Sequence, residues 1–183
     1  MSSFLFKLIL LGDGAVGKTS LRKRYTTGSF TGDYLRTMGT DFALKRLMID
    51  DTEFRLQIWD IAGQTSTRFT GLNDSYFFGA SGAILVFDVT RPETLDNLSF
   101  WIEKVRKNLG HIPMIIFGNK IDLRDQLESL EPEQGEEFAQ KITEESNLEI
   151  KYYETSAKTG ENVEQAFFEI AKNMYDYCHR KRG

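Results

Sequence analysis

Residues 12–19 are the first part of the chain whose types and spacing could do chemistry, and they run Gly-Asp-Gly-Ala-Val-Gly-Lys-Thr. Glycine lets the backbone turn tightly enough for successive N–H groups to point at one anionic centre. The lysine adds a positive charge for the outer phosphates of a nucleotide, and the threonine hydroxyl suits a metal ion. A strand-like apolar run precedes the loop at residues 4–11, and the helix that begins after it turns its positive dipole end toward the same anion. The stretch predicts a phosphate-binding loop.

Three further polar clusters each follow a predicted strand. They are residues 60–64 (Asp-Ile-Ala-Gly-Gln), 119–122 (Asn-Lys-Ile-Asp) and 155–158 (Thr-Ser-Ala-Lys). Each cluster alone could occur by chance. Open α/β sheets bind ligands at the carboxyl ends of their strands, so the order of the clusters after the phosphate loop indicates one shared nucleotide site.

The elements that must position these clusters alternate between strand and helix. Continuous apolar runs at residues 83–87 and 114–117 predict strands buried on both faces. Between them, apolar residues three and four apart predict an amphipathic helix over residues 95–109. The same spacing recurs over residues 163–174, and a third helix is expected after Pro132.

One pair of strands breaks this alternation. Residues 42–49 and 53–60 both have strand patterns and are joined by only residues 50–52, which predicts a hairpin. The expected fold is therefore α/β, with three layers: a mostly parallel six-stranded sheet with one antiparallel strand, and helices on both faces. No repeat or linker is evident, so we expect one domain over residues 1–178 and a short basic tail over residues 179–183.

Composition and charge narrow the function classes. The chain has 183 residues, enough for one domain with an ample core. Its net charge of -4 does not favour binding to the negatively charged backbone of nucleic acid. Cys178 is the one cysteine, so no internal disulfide can form, which agrees with a reducing compartment. No apolar stretch fits a signal peptide or reaches the roughly 18 residues of a membrane span, so we expect a soluble cytoplasmic protein.

These motifs together resemble those of the small GTPases of the Ras superfamily, most of all the Rab branch, over residues 7–177. Residues 37–42 and 59–64 have the Rab character, whereas Gly14-Ala15 is more usual in Rho relatives. The resemblance implies a P-loop G domain that binds GTP or GDP with Mg²⁺ and hydrolyses GTP slowly. Related proteins hydrolyse at roughly 10⁻⁴ s⁻¹, rising about 10⁵-fold with an activating partner. Such a slow rate suits a molecular switch rather than a metabolic enzyme.

Asp122 is predicted to select the base. A carboxylate only accepts hydrogen bonds, and guanine presents N1–H and an exocyclic NH₂ side by side on one edge. Adenine lacks that donor pair, and a site of this kind can reject such an analogue by roughly 10⁴-fold. An aspartate here could instead cap a turn before Leu123, but its neighbours Asn119 and Lys120 favour base binding.

The resemblance assigns roles to the residues around Asp122. It implies that Asn119 ties this loop to the phosphate loop, that the stem of Lys120 covers the base plane, and that the Ala157 N–H meets the guanine carbonyl. Phe30 matches an aromatic that packs edge-on against the base, although a core aromatic is the alternative in a chain with 14 Phe. The predicted nucleotide-binding residues are Asp13, Gly14, Ala15, Val16, Gly17, Lys18, Thr19, Ser20, Phe30, Tyr34, Thr37, Gly63, Asn119, Lys120, Asp122, Leu123, Ser156, Ala157 and Lys158.

A magnesium site is predicted beside the phosphates. Magnesium prefers an octahedron of oxygens and keeps several waters. Thr19 and Thr37 would each supply a hydroxyl, and Asp60 would hold a metal-bound water. Thr37 lies in residues 30–41, a polar segment without periodicity that fits either a loop closing on γ-phosphate and magnesium or an ordinary surface loop.

The predicted catalytic residues are Lys18, Thr37, Gly63 and Gln64. The resemblance implies that the Gly63 N–H donates to the γ-phosphate and that Gln64 orients the attacking water. An exposed loop glutamine is the alternative for Gln64. Residues 65–67 separate Gln64 from Arg-Phe at residues 68–69, whereas in Rab proteins Glu-Arg-Phe usually follows this glutamine directly.

As partners, the resemblance implies effector proteins at two switch loops, residues 30–41 and 63–75, together with a GTPase-activating protein and an exchange factor. It also implies a monomer. Five residues follow Cys178, so we expect no prenylation at a C-a-a-X box in this chain; either the natural protein has a longer tail or it is not prenylated. The basic tail is either a solvated helix end or a contact for anionic lipid, so peripheral membrane association stays an alternative to a purely cytoplasmic location.

Two functions from other classes compete with the switch. A P-loop phosphotransferase or ATPase would usually carry a lid with several arginines over the phosphates, and the sequence has no such cluster. A nucleotide-binding scaffold without hydrolysis would keep the phosphate loop and the base motif but not the function of Gln64.

Overall fold

The computed structural model describes residues 4–30, 40–61, 74–146 and 148–180. The strands in these ranges are β1 (Phe4–Leu11), β2 (Thr40–Ile49), β3 (Thr52–Ile61), β4 (Ala80–Asp88), β5 (Met114–Asn119) and β6 (Lys151–Thr155). The α-helices are α1 (Lys18–Thr27), α2 (Glu93–Asp96), α3 (Leu98–Leu109), α4 (Pro132–Glu145) and α5 (Val163–Arg180). Single turns of 3₁₀-helix lie at Asp74–Tyr76 and Ile121–Leu123.

The strands form one sheet in the order β2-β3-β1-β4-β5-β6. The β2–β3 pair is antiparallel, and the other neighbouring pairs are parallel. This confirms the predicted α/β class with one antiparallel strand. Because β1, β4 and β5 are neighbours and run in the same direction, the segments that leave their carboxyl ends meet at one edge of the sheet.

The hairpin between β2 and β3 is tighter than the sequence predicted. Ile49 pairs with Thr52, so the connection contains two residues, Asp50 and Asp51, and not three. Both aspartates have positive φ values, 46° and 61°. Two consecutive left-handed residues are the signature of a turn whose twist matches its strands, and Asp tolerates this conformation better than most residues.

Two apolar layers hold the sheet between its helices. On one face Tyr25 of α1 and Phe167 of α5 stack with ring centroids 4.2 Å apart. On the other face Trp101 of α3 and Ile142 of α4 are buried. Residues 83–87 are fully buried, which confirms the prediction that a continuous apolar run forms a strand covered on both sides.

The helix predicted over residues 95–109 is divided in the structure. It separates at Asn97 into the short α2 and the longer α3, so the expectation of one continuous helix is wrong. The backbone tightens there, because the Phe100 N–H donates to the Asn97 carbonyl only three residues earlier. The Asn97 side chain also leaves the helix face to donate to Asp13, 2.6 Å away.

The C-terminal helix continues past the domain boundary expected at residue 178. His179 and Arg180 form the last turn of α5, where the negative end of the helix dipole favours positive charge. The first two residues of the predicted tail, 179–183, are therefore helical, and residues 181–183 lie outside the described residues. None of the helices in the described ranges is both long and apolar enough to span a membrane.

Gly135 is a place where α4 approaches the sheet too closely for any side chain. A Cβ at this position would lie 2.4 Å from Cζ of Tyr152, which projects from β6. Gly118 on β5 faces the same ring, since its Cβ would lie 2.3 Å from the Tyr152 hydroxyl oxygen. The two glycines therefore make the space that the Tyr152 ring occupies between β5 and α4.

We expect Gly135→Ala to destabilise the protein, although alanine in place of glycine usually favours a helix by about 1 kcal/mol. The added methyl group overpacks the contact with Tyr152, and overpacking typically costs about 1–3 kcal/mol. Urea unfolding followed by circular dichroism measures the free energy of unfolding. Glu137→Ala, an exposed position in the same helix, is the control and should change it by less than about 0.5 kcal/mol. A Gly135→Ala variant as stable as wild type would contradict the packing argument.

Candidate nucleotide-binding site

The loop between β1 and α1 needs glycine at two positions. Gly12 has φ 139°, and a Cβ there would lie 2.1 Å from the Val86 carbonyl oxygen. Gly17 has φ 104°, and its Cβ would lie 2.2 Å from Nδ2 of Asn119. At both positions the positive φ disfavours other residues, and a side chain would collide with the neighbouring atom. Both positions therefore require glycine, as the glycine spacing predicted.

Ala15 and the start of α1 give the loop its anion-binding character. Ala15 adopts the left-handed conformation, φ 64°, which costs a residue with a Cβ about 1–2 kcal/mol. Gly17 is the N-cap of α1, and among the described residues no side chain caps this end and the first turn contains no acid. The first N–H groups of the helix are thus left for an anion.

Lys18 is a buried cation at the centre of this loop. Its residue surface is 6% exposed, and its Nζ donates to the carbonyl oxygens of Gly12 and Asp13, each 2.7 Å away. Burial lowers the pKa of Lys18 to about 8, opposed by the carboxylates of Asp60 and Asp13 and reinforced by Arg91. An anionic ligand stabilises the charged form of a desolvated ammonium of this kind.

The Asp13 side chain points to α3. Asn97 Nδ2 donates to one carboxylate oxygen at 2.6 Å, and Trp101 Nε1 donates to the other at 3.2 Å. The carboxylate therefore hydrogen-bonds to Asn97 and Trp101, while its charge still acts on Lys18. Asp13 was predicted to bind nucleotide, and its backbone is the part that remains for that role.

Two of the three predicted metal residues meet at the end of β3. Thr19 Oγ1 donates to Oδ2 of Asp60, which is fully buried. Oδ1 of Asp60 is also buried and has no hydrogen-bond partner among the described residues. Burial raises the pKa of Asp60, while the Thr19 hydrogen bond, Lys18 and Arg22 oppose that rise. An unsatisfied buried carboxylate oxygen beside a hydroxyl fits a hard cation or its bound water.

Asn119 joins the base end of the site to the phosphate loop. Its Nδ2 donates to the Val16 carbonyl at 2.8 Å, the link that the resemblance implied. Its Oδ1 accepts from the Ala157 N–H at 3.2 Å and from Thr155 Oγ1 at 3.4 Å. One fully buried amide therefore holds three segments together. Contact between the Ala157 N–H and a base carbonyl stays a prediction.

Asp122 is held by the loop after β6. Ser156 Oγ donates to its Oδ1 at 2.6 Å, and Lys158 Nζ lies 3.9 Å from Oδ2. The side chain is 12% exposed, so the carboxylate is oriented and largely desolvated. Lys120 has φ 72°, and its Nζ lies 2.6 Å from Oδ2 of Asp88, while Leu123 ends the adjacent 3₁₀ turn.

The remaining predicted residues divide into two groups. Phe30 is 38% exposed at the end of the first described range, and Ser20 lies in the first turn of α1. Four others lie outside the described residues: Tyr34, Thr37, Gly63 and Gln64. Their roles stay predictions.

Sequence reasoning missed residues that support the site without belonging to a motif. Arg24 on α1 donates through Nε to the Ala157 carbonyl at 2.7 Å, across 133 residues of chain, and through Nη1 to the Gly28 carbonyl at 2.8 Å. Its Nη2 donates to the Lys158 carbonyl. Asp88, Arg91, Asn97 and Trp101 support the phosphate loop from the other side. Their spacing has no recognisable pattern, so only folding identifies them.

Comparison with known proteins agrees with this geometry. A profile of the Ras family matches residues 7–176. The chain is 37% identical over 179 residues to "Ras-related protein Rab-8B" of Homo sapiens, covering 97% of this chain and 82% of the relative. It is 42% identical over 173 residues to "Ras-related protein Rab-7a" of Paramecium octaurelia, covering 92% and 80%. It is 40% identical over 177 residues to "Ras-related protein Rab7" of Drosophila melanogaster, covering 94% and 81%.

We expect Arg24→Met to speed nucleotide release, because it removes the donors that hold the carbonyls of Ala157 and Lys158. Hydrogen bonds from charged groups contribute about 1.5–3 kcal/mol, so the dissociation rate of a fluorescent guanine nucleotide should rise about 10-fold or more. Stopped-flow displacement measures that rate. Lys23→Met in the same helix is the matched control and should release at the wild-type rate. Equal rates for wild type and Arg24→Met would show that Arg24 does not support the base loop.

Proposed function

The chain belongs to the Rab branch of the Ras family, and from this we propose a guanine-nucleotide-dependent switch that binds GTP and GDP with Mg²⁺ and hydrolyses GTP to GDP and phosphate. The observation that carries the proposal is the bond from Asn119 to the Val16 carbonyl of the phosphate loop. This bond supports the proposal because it ties the segment that contains Asp122, three residues later, to the phosphate loop. A ligand with a base at one end and phosphates at the other fits this arrangement.

Asp122 supplies the base specificity. Its carboxylate offers two acceptor oxygens, and the bonds from Ser156 and Lys158 fix its orientation. Guanine matches these acceptors with N1–H and its exocyclic NH₂, whereas adenine would leave a desolvated charge unpaired. The stem of Lys120 covers the base plane, and the exposed ring of Phe30 packs against the base edge.

Lys18, Thr19 and the loop backbone bind the phosphates. The ammonium of Lys18 has three N–H donors, so it can keep its two carbonyl acceptors and donate the third hydrogen bond to a phosphate oxygen. The N–H groups of the loop and of the first turn of α1 would donate to the phosphate oxygens as well. Magnesium, when bound, neutralises charge on the phosphate oxygens. Thr19 would supply a hydroxyl to the ion and Asp60 would hold one of its bound waters, while Thr37 would supply a second hydroxyl in the triphosphate state.

Gln64 orients the attacking water, and the Gly63 N–H binds the γ-phosphate. An amide cannot take up a proton usefully, so Gln64 acts by position and not as a base. Hydrolysis is slow without a partner, at roughly 10⁻⁴ s⁻¹ by comparison with related proteins. A GTPase-activating protein and an exchange factor therefore set the lifetime of each state.

Two loops transmit the nucleotide state to effectors, residues 30–41 and 63–75. Asp41, at the end of the first loop, contacts the helix that follows the phosphate loop. Its carboxylate lies 2.5 Å from the buried guanidinium of Arg22 on α1. Next to it, Phe42 stacks on Trp59 with centroids 5.2 Å apart. Rab relatives support a role in vesicle trafficking. We propose a monomer in the cytoplasm that contacts membranes peripherally and binds no nucleic acid.

We expect Asp122→Ala to abolish the preference for GTP over ATP. The wild type should discriminate by roughly 10⁴-fold, and the variant by little, since no acceptor then reads the purine edge. Competition of unlabelled ATP and GTP against a fluorescent guanine nucleotide at millimolar magnesium measures the ratio. Asp125→Ala, an exposed position in the same segment, should keep the wild-type ratio. A wild-type protein without preference for GTP would overturn the proposed function itself.

We expect Gln64→Leu to slow hydrolysis of bound GTP by about 10-fold or more, because leucine fills the space of glutamine but cannot orient water, and small misplacements of this kind cost up to about 10²-fold. Single-turnover release of phosphate from preloaded protein measures the rate, with and without an activating protein. Gln126→Leu at an exposed site is the control. Unchanged hydrolysis in Gln64→Leu would mean that another group positions the water. A wild-type protein that binds GTP without hydrolysing it would indicate the alternative function, a nucleotide-binding scaffold.

A further inference from the structure

Asp88, the last residue of β4, is a buried carboxylate that collects four donors beside the nucleotide site. Its Oδ1 accepts from the Thr90 N–H at 3.0 Å and from Thr90 Oγ1 at 2.7 Å. Its Oδ2 lies 3.3 Å from Arg91 Nε and 2.6 Å from Lys120 Nζ. Burial raises the pKa of Asp88, but the bonds from Lys120 and Thr90 outweigh it and the pKa is lowered overall. The carboxylate is therefore ionised and fully engaged.

Arg91 connects Asp88 to the phosphate loop. While its Nε faces Asp88, its Nη2 donates to the Gly14 carbonyl at 2.9 Å. Arg91 and Gly14 are 77 residues apart in the chain. A continuous series of contacts thus runs from Lys120 at the base subsite through Asp88 and Arg91 to Gly14 at the phosphate subsite. Neither Asp88 nor Arg91 belongs to a motif assigned above.

The contact with Gly14 fixes the orientation of one peptide group. In a planar trans peptide the carbonyl and the following N–H point in opposite directions. With the Gly14 carbonyl held by Arg91, the Ala15 N–H points away from Arg91. Ala15 is also the loop residue with a Cβ that pays for a left-handed conformation, φ 64°. Without Arg91, the peptide could rotate and release that strain.

We propose that Arg91 is a positioning residue for the nucleotide, which fixes the Gly14–Ala15 peptide so that the Ala15 N–H meets the phosphates, and that Asp88 couples this peptide to Lys120. The inference deepens the proposed function and rests on it. Arg91 acts through the loop backbone and touches neither the base nor Asp122. Its loss should therefore weaken phosphate binding and leave base selectivity intact.

Nucleotide release from preloaded protein tests the proposal. Arg91→Met should raise the dissociation rates of GDP and GTP about 10-fold while the ratio of GTP to ATP affinity stays at the wild-type value. Arg106→Met is the matched control, since Arg106 pairs with Glu145 on the surface of α3 and α4. Wild-type release rates in Arg91→Met would overturn the inference, and so would a loss of base selectivity.

Arg91→Lys separates positioning from simple charge. Lysine keeps the positive charge beside the phosphates but has one nitrogen in place of the separated Nε and Nη2 of the planar guanidinium, so it cannot reproduce both contacts in their present geometry. Fast release from Arg91→Lys, as from Arg91→Met, supports positioning. Release at the wild-type rate would mean that charge alone matters and would overturn it. This variant also carries the test if circular dichroism shows that Arg91→Met does not fold.

A double-mutant cycle with Ala15→Gly tests the role of strain. Glycine adopts the left-handed conformation without penalty, so the loop should depend less on Arg91. Arg91→Met should then accelerate release several-fold less in the Ala15→Gly protein than in wild type. Equal acceleration in both backgrounds would overturn the peptide-fixing step. A wild type that does not bind guanine nucleotides would instead overturn the proposed function, so the two failures are distinguishable.

Discussion

A loop that binds anions through its N–H groups must have its carbonyl groups held elsewhere, and the rest of this structure depends on that constraint. Lys18 binds the carbonyls of Gly12 and Asp13, and Asn119 binds that of Val16. Arg91 binds that of Gly14. The donors come from α1, from β5 and from the segment after β4, so three parts of the fold fix one short loop.

The parallel sheet makes this support possible. β1 pairs with β4, and β4 pairs with β5, so that Asp88 and Asn119 lie opposite each other in register. Their side chains leave the carboxyl edge beside the loop that follows β1. The proposed base subsite and the proposed phosphate subsite are therefore joined through buried polar contacts on neighbouring strands. Buried groups of this kind are costly to leave unpaired, which ties the integrity of one subsite to that of the other.

The structure differs from the sequence predictions where tertiary contacts compete with local pattern. The apolar spacing over residues 95–109 predicted one helix, but the Asn97 side chain is drawn to Asp13 and the helix divides there. The acidic pair at residues 50–51 forms a two-residue turn with both residues left-handed, because the strands pair one residue further than the alternation of side chains suggested. At both places local pattern predicted the kind of structure and missed its exact bounds.

The sequence by itself determined the fold class and the glycine-containing loop after β1, and it predicted Asp60 and residues 119–122 and 155–158 as parts of one nucleotide site, because glycine spacing, buried apolar runs and acceptor-only side chains have direct chemical meaning. The tertiary structure alone decided which residues hold those motifs in place. Arg24 and Arg91 act across 133 and 77 residues of chain on backbone carbonyls. Every residue has a carbonyl, so no sequence pattern marks which one an arginine will bind. That choice follows only from which strand ends the sheet brings together.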